Sequence, residues 1–158
     1  MKIQTGYLYH IKDEFFDDMK AKGLMINHEN GHSRPSYLVV KEKDILWFIP
    51  LSSKVKKYEP IIAKKIQKYG ECRTILIRTI AGKKQVILIQ NAFPTKEKYI
   101  KSMHTVEGKI VVVPQNIQKE IRDALLHTLS LKEEGLNLFF TDIDSMLEIL
   151  SIETFVKN

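Results

Sequence analysis

The chain has a single cysteine, seven glycines, five prolines and one tryptophan in 158 residues. A lone Cys72 can neither close an internal disulfide nor build a cysteine zinc site, so a reducing compartment is expected. The low glycine and proline content, beside 44% hydrophobic residues, excludes a disordered or low-complexity chain. No apolar run approaches the ~20 residues of a membrane helix. The start, MKIQTGYLYHIKDEFF, has no uninterrupted apolar stretch and no small-residue cleavage site, so no secretory signal is expected. The expectation is a soluble cytoplasmic protein. Gly-x-Gly-x-x-Gly, Walker A and His-Glu-x-x-His patterns are all missing, which leaves nucleotide-cofactor and zincin chemistry unsupported. The densest acids, Asp13, Glu14, Asp17 and Asp18, read as the solvated start of a helix, and Asp142-Ile-Asp144 reads as another helix start. Neither looks like a two-metal nuclease site. No metal and no cofactor are expected.

Positive charge is present, and it is local. The net charge is +6. Residues 41–84 carry twelve basic and four acidic side chains, a net of +8, whereas residues 132–158 carry a net of −4. Lys54, Lys56, Lys57, Lys64, Lys65 and Lys68 fall within one short stretch. A lysine run is often only a solvated face, but this local excess points to a polyanionic partner.

At 158 residues, without a linker or an internal repeat, one domain spanning 1–158 is expected. Thr5–His10 reads as a strand and Ile11–Lys22 as a helix, with Gly23 as its C-cap. Asn27–Pro35 reads as a polar loop. Tyr37–Val40 and Ile45–Ile49 read as a hairpin whose second strand Pro50 ends or places at an edge. Lys54–Tyr69 reads as helical or loop-like around Pro60, with Ile61, Ile62 and Ile66 inward. Thr74–Ile77 and Gln85–Ile89 form a second hairpin, and Gly108–Val113 a further strand. After Pro114 a helical stripe runs through Ile117, Ile121, Leu125 and Leu129. Asp142 then N-caps a last helix. Hairpins dominate and strands do not alternate with helices. The expected class is therefore α+β, a twisted antiparallel sheet or partly open barrel with helices packed around it.

One constellation carries chemistry. Ser52-Ser53-Lys54 leaves a strand end directly into the lysine-rich stretch. As a bland feature it is a hydroxyl turn followed by a solvent lysine. As a site it offers two hydroxyls and an ammonium to a phosphate, with Lys54 stabilising the added charge of a pentavalent transition state. Without a metal, RNA is cut by its own 2′-hydroxyl, which needs a base, an acid and a cation. DNA lacks that hydroxyl and is not expected as a substrate or partner.

Arg34-Pro-Ser-Tyr37, the hairpin, and Phe48-Ile-Pro-Leu-Ser-Ser-Lys54 together resemble the signature of the ToxN/AbiQ toxins of type III toxin–antitoxin systems. Within that family the pattern is similar to the CptN branch, over about residues 5–130. The resemblance implies a metal-independent endoribonuclease on a Kid/MazF-like sheet. It implies an antitoxin that is itself a repeat-derived pseudoknot RNA, cut into units and held in a closed protein–RNA hetero-oligomer. Cellular RNA would be the other substrate, and phage defence by abortive infection the role. Ser52 and Ser53 match the family's hydroxyl pair. Lys54 matches its lysine, although a frequent insertion leaves Lys56 or Lys57 open for that role. Arg34 stands where a lysine is common, and a guanidinium is a poor base. The titrating group is then sought at His32, or at His28. Tyr7 and Tyr9 are expected in the core or stacked on bases, with Tyr9 counted among the RNA contacts. Lys56, Lys57, Lys64, Lys65 and Lys68 are expected to line the RNA path. Lys119 and Arg122 match a basic helix face of the family. His104 and His127 read as ordinary surface or packing residues.

Two other functions remain open on sequence grounds. A non-catalytic RNA- or DNA-binding module needs only the basic patch. A transcription factor is weaker, because no helix-turn-helix stands out.

Overall fold

The computed structural model describes residues 2–29 and 31–157, with side chains up to residue 152. The elements are β1 (Leu8–Ile11), α1 (Asp13–Met19), the small hairpin β2 (His28–Glu29) and β3 (His32–Ser33), and the long hairpin β4 (Ser36–Glu42) and β5 (Ile45–Ser52). Helix α2 (Val55–Tyr69) and the hairpin β6 (Leu76–Ile80) and β7 (Lys83–Ile87) follow. Next come β8 (Phe93–Thr95), β9 (Ile100–Met103), the short hairpin β10 (Thr105–Val106) and β11 (Lys109–Ile110), and helices α3 (Gln115–Glu133) and α4 (Ile143–Lys157).

Seven strands form one sheet in the order β6-β7-β5-β4-β1-β9, with β8 also on β5, and every pairing is antiparallel. The path is open at β6 and β9, so the described sheet is not a closed barrel. β5 is its spine. One edge of β5 pairs with β4. On the other edge Leu46–Phe48 pair with β8, and Leu51–Ser52 pair with β7. Pro50 sits at the change of partner. It lacks an N–H to donate, so a ladder that breaks there loses least, while its carbonyl still accepts from Leu88 N–H at 3.2 Å. The expectation that Pro50 ends or edges the strand is thus corrected, because β5 runs on to Ser52 in the sheet interior.

The core is aromatic at this spine. Phe48 meets Tyr9 edge-on at 6.0 Å between centroids and stacks on Phe93 at 5.9 Å. Tyr9, Phe48 and Phe15 are fully buried. α3 adds Ile121 and Leu125 to the core, and Ile117 and Leu129 pack against it, as their four-residue spacing requires. Asp142 caps α4, accepting from Ser145 N–H at 3.2 Å.

Three local expectations change. α1 stops at Met19, and Lys20, Ala21 and Lys22 all take positive φ. Gly23 is required for another reason, since a Cβ there would overlap the Phe140 carbonyl oxygen. α2 packs through Val55, Tyr58 and Ile62 on a separate small cluster, so Ile61 and Ile66 are exposed rather than inward. The Gly108–Val113 strand shrinks to the two-residue β11. The expected loop also contains the β2–β3 hairpin.

Phe48→Ala should lower stability by about 3–5 kcal/mol in urea unfolding, from lost burial plus the cavity left behind. Ile66→Ala on the outer face of α2 should stay within about 0.5 kcal/mol of wild type.

Candidate active site

A polar cleft of about 550 Å³ opens where the β2–β3 hairpin meets the ends of β5, β7 and β9. Its walls include His10, Glu29, His32, Ser53, Gln85 and His104. The sheet register makes this possible. His10 on β1 pairs opposite Ser102 on β9, and two residues on, the same face brings His104 diagonally beside it. Tyr9 and Ile11, the neighbours of His10 along the strand, turn into the core instead.

Three polar groups form a chain along one wall. Ser33 Oγ lies 2.6 Å from His10 Nδ1, and His10 Nε2 lies 2.9 Å from His104 Nδ1. Both imidazoles are half-buried, and burial holds both pKa values below the ordinary 6.5. The neighbouring charges of His104 and Lys101 add to the effect at His10. Both histidines therefore favour the neutral form.

The hairpin side of the cleft also carries a carboxylate. Glu29 Oε2 lies 3.0 Å from Arg34 Nη1, and Glu29 Oε1 lies 3.7 Å from Lys54 Nζ. Arg34 also donates from Nη1 to the Leu51 carbonyl at 2.9 Å and from Nε to the Ile26 carbonyl at 3.2 Å. With only 10% of its side chain exposed, Arg34 ties the hairpin to the end of β5. Glu29 Oε1 is buried without a hydrogen bond, so this carboxylate depends on its two cations.

Of the residues singled out from sequence, His32, Arg34, Ser52 and Ser53 line the cleft. Ser52 Oγ accepts from Lys54 N–H at 3.2 Å, closing the turn, while Ser53 is exposed. Lys54 stands beside them with most of its side chain in solvent. His28 instead pairs with Asp13 of α1, Nε2 to Oδ1 at 2.6 Å, outside the cleft lining.

The lysines divide. Lys56, Lys57, Lys64 and Lys68 are exposed on α2. Lys65 turns inward and donates to Thr74 Oγ1 and Gln90 Oε1 at 3.1 and 3.3 Å, which makes it a tie between elements. Lys119 pairs with Asp123 along α3, and Arg122 is exposed on the same helix; neither lines the cleft. Tyr9 is corrected: its ring is fully buried and its hydroxyl accepts from Gln4 N–H at 2.8 Å, so it cannot stack on a base.

The first turn of α2 has no acidic residue and no side-chain cap. Lys54, Lys56 and Lys57 crowd the positive end of the helix dipole, which disfavours each cation by about 0.3–1 kcal/mol when nothing negative is bound. A phosphate placed there would relieve that conflict, although Lys54, Val55 and Lys57 N–H already donate to Ser52 Oγ and to the Ser53 and Lys54 carbonyls.

The sequence analysis missed His10, Ser33 and Glu29, and it read His104 as ordinary. Their partners lie on other strands, and only the β1–β9 register brings His10 and His104 together. Among the described residues, no group of three or more His, Cys, Asp or Glu could hold a metal. No helix there is long and apolar enough to cross a membrane.

By sequence, no family model and no curated protein matches the chain. The fold is similar to that of AbiQ. That structure is a lactococcal anti-phage endoribonuclease belonging to the type III toxin–antitoxin system. The two share 15% identity and a TM-score of 0.74, over 98% of this chain and 100% of that one.

Glu29→Ala should cost about 1.5–3 kcal/mol in chemical unfolding, because it strands the buried Arg34 guanidinium. Lys54→Ala, at an exposed and longer contact, should cost well under about 1 kcal/mol.

Proposed function

We propose that this chain is an endoribonuclease toxin of a type III toxin–antitoxin system. It cuts RNA without a metal, through attack of the 2′-hydroxyl on the adjacent phosphorus, leaving a 2′,3′-cyclic phosphate. The observation that carries this reading is the lysine-rich first turn of α2, which has no acid of its own and only the Lys54–Glu29 contact, set beside Ser52 and Ser53 at the mouth of a polar cleft. The similarity of fold to AbiQ, an endoribonuclease of that kind, supports it.

In this reading the scissile phosphate lies against Ser53 and the first turn of α2. Lys54 supplies positive charge there, with Lys56 or Lys57 beside it. Ser52 holds the turn through its bond to Lys54 N–H. Arg34 keeps the β2–β3 hairpin against β5, so that His32 faces the same cleft. The RNA strand continues over the exposed face of α2 along Lys64 and Lys68. The natural RNA partner is a pseudoknot antitoxin in a closed protein–RNA assembly of the CptN-like kind, and the setting is phage defence in the cytoplasm.

The direct test is incubation of purified protein with RNA in EDTA, followed by analysis of the 3′ ends. Cleavage with cyclic phosphate ends is expected, and Ser53→Ala and Lys54→Ala should slow it by about 100-fold or more. Absence of cleavage, or 3′-hydroxyl ends, would overturn the reading. RNA binding without any cleavage would select a non-catalytic module instead, which needs only the lysine face of α2.

A further inference from the structure

We propose that His104 is the residue that moves the proton in this cleft, with His10 and Ser33 as the positioning residues behind it. The inference rests on the RNA-cleavage reading above and assigns it a titrating group that neither serine nor Arg34 can supply.

Three observations support it. The contacts Ser33 Oγ to His10 Nδ1 at 2.6 Å and His10 Nε2 to His104 Nδ1 at 2.9 Å use both nitrogens of His10 and one of His104. Among the described residues His104 Nε2 has no hydrogen-bond partner, and His104 lines the cleft. Two imidazoles joined nitrogen to nitrogen also have room for one proton between them. If His104 Nδ1 carries that proton, its Nε2 presents a lone pair; the reversed chain of tautomers presents an N–H instead. The Ser33 hydroxyl fits either order, because it both donates and accepts.

A purely structural role explains this less well. The β1–β9 ladder already holds these strands, and His104 N–H is bonded to the Leu8 carbonyl at 2.8 Å. Burying two titratable rings at a cleft wall adds desolvation cost without a need for it. The same burial favours the neutral, basic form at ordinary pH. The charged and titratable groups around the pair are Lys101 on β9, His32 on β3, Glu29 and Arg34 on the hairpin side of the cleft, and Lys83 at the start of β7. Most are cationic, which acts in the same direction.

The chemistry balances within the cleft. His104 Nε2 takes the proton of the 2′-hydroxyl as the O2′–P bond forms. The pair holds it as one imidazolium, steadied by His10 and Ser33. As the P–O5′ bond breaks, the same proton passes to O5′. No oxidant, metal or external acid is consumed, and the histidines return to their starting state.

His104→Asn tests the assignment, since asparagine can keep the contact to His10 but has no second ring nitrogen. Cleavage should fall by about 100-fold or more with an unchanged melting temperature. In wild type the rate should rise with pH through a midpoint below the ordinary 6.5, and that limb should vanish in the variant. His10→Gln, which preserves a hydrogen bond to His104, should retain more activity than His10→Ala. A His104→Asn enzyme with the wild-type rate and pH profile would overturn the assignment while leaving the nuclease reading intact. A wild-type protein that cuts no RNA would remove both. As a measurement free of turnover and of variant folding, the imidazole nitrogen resonances of His104 should shift when a 2′-deoxy-substituted RNA oligonucleotide is added. Resonances that stay put at saturating oligonucleotide would overturn the assignment.

Discussion

Strand β5 changes its pairing partner at Pro50, and the placement of the cleft follows from that change. Before Pro50 the strand is locked between β4 and β8, with Phe48 among Tyr9 and Phe93 in the core. After Pro50 it pairs with β7, and Leu51 and Ser52 carry the chain out toward the cleft. A proline tolerates such a change because it has no N–H to leave unsatisfied. Ser52 is thereby mounted at the end of a strand paired on both edges, with Ser53 just beyond it, and α2 starts beside them. A site built at the end of a rigid strand holds its geometry better than one on a free loop.

Electrostatics then divides the two sides of that cleft. On one side Glu29 balances Arg34 and reaches Lys54, so charge is compensated and the hairpin is held. On the other side α2 begins with lysines and no acid, against its own dipole. A local rule is broken there with only the 3.7 Å Lys54–Glu29 contact against it, and such places are commonly functional. The histidine pair forms a third wall, where burial holds both imidazoles below their ordinary pKa and favours the neutral form. Cations, hydroxyls and a proton carrier are what the proposed cleavage of RNA would draw on, and the cleft brings Lys54, Ser53 and His104 to one place.

Much of this was legible in the residues. β-rich runs separated by polar or glycine turns marked β4, β5 and the β6–β7 hairpin. The four-residue spacing from Ile117 to Leu129 marked α3, and Asp142 marked the start of α4. Those signals are local, and local chemistry decided them. The segment from Ile89 to Met103 gave no clear period. It breaks into two 3-10 turns and the strands β8 and β9, and these strands exist because they pair with β5 and β1 far away in sequence. Ser52-Ser53-Lys54 was visible as a motif for the same local reason. Glu29, His10 and His104 were not, because a glutamate in a polar loop and two histidines 94 residues apart acquire meaning only through the sheet. Tyr9 shows the opposite error: an aromatic near the site in sequence turned into the core, as strand alternation with His10 requires.

The similarity to AbiQ, at 15% identity and a TM-score of 0.74, is one of fold. The central claim is that RNA is held in the cleft at the end of β5 and beside the start of α2. Mapping backbone amide shifts on titration with a 2′-deoxy-substituted RNA oligonucleotide tests it most directly. The largest shifts are expected together on Ser53, the first turn of α2, Gln85 and His104. Shifts confined to α3 or to the C-terminal helix, with those cleft amides unmoved, would contradict it.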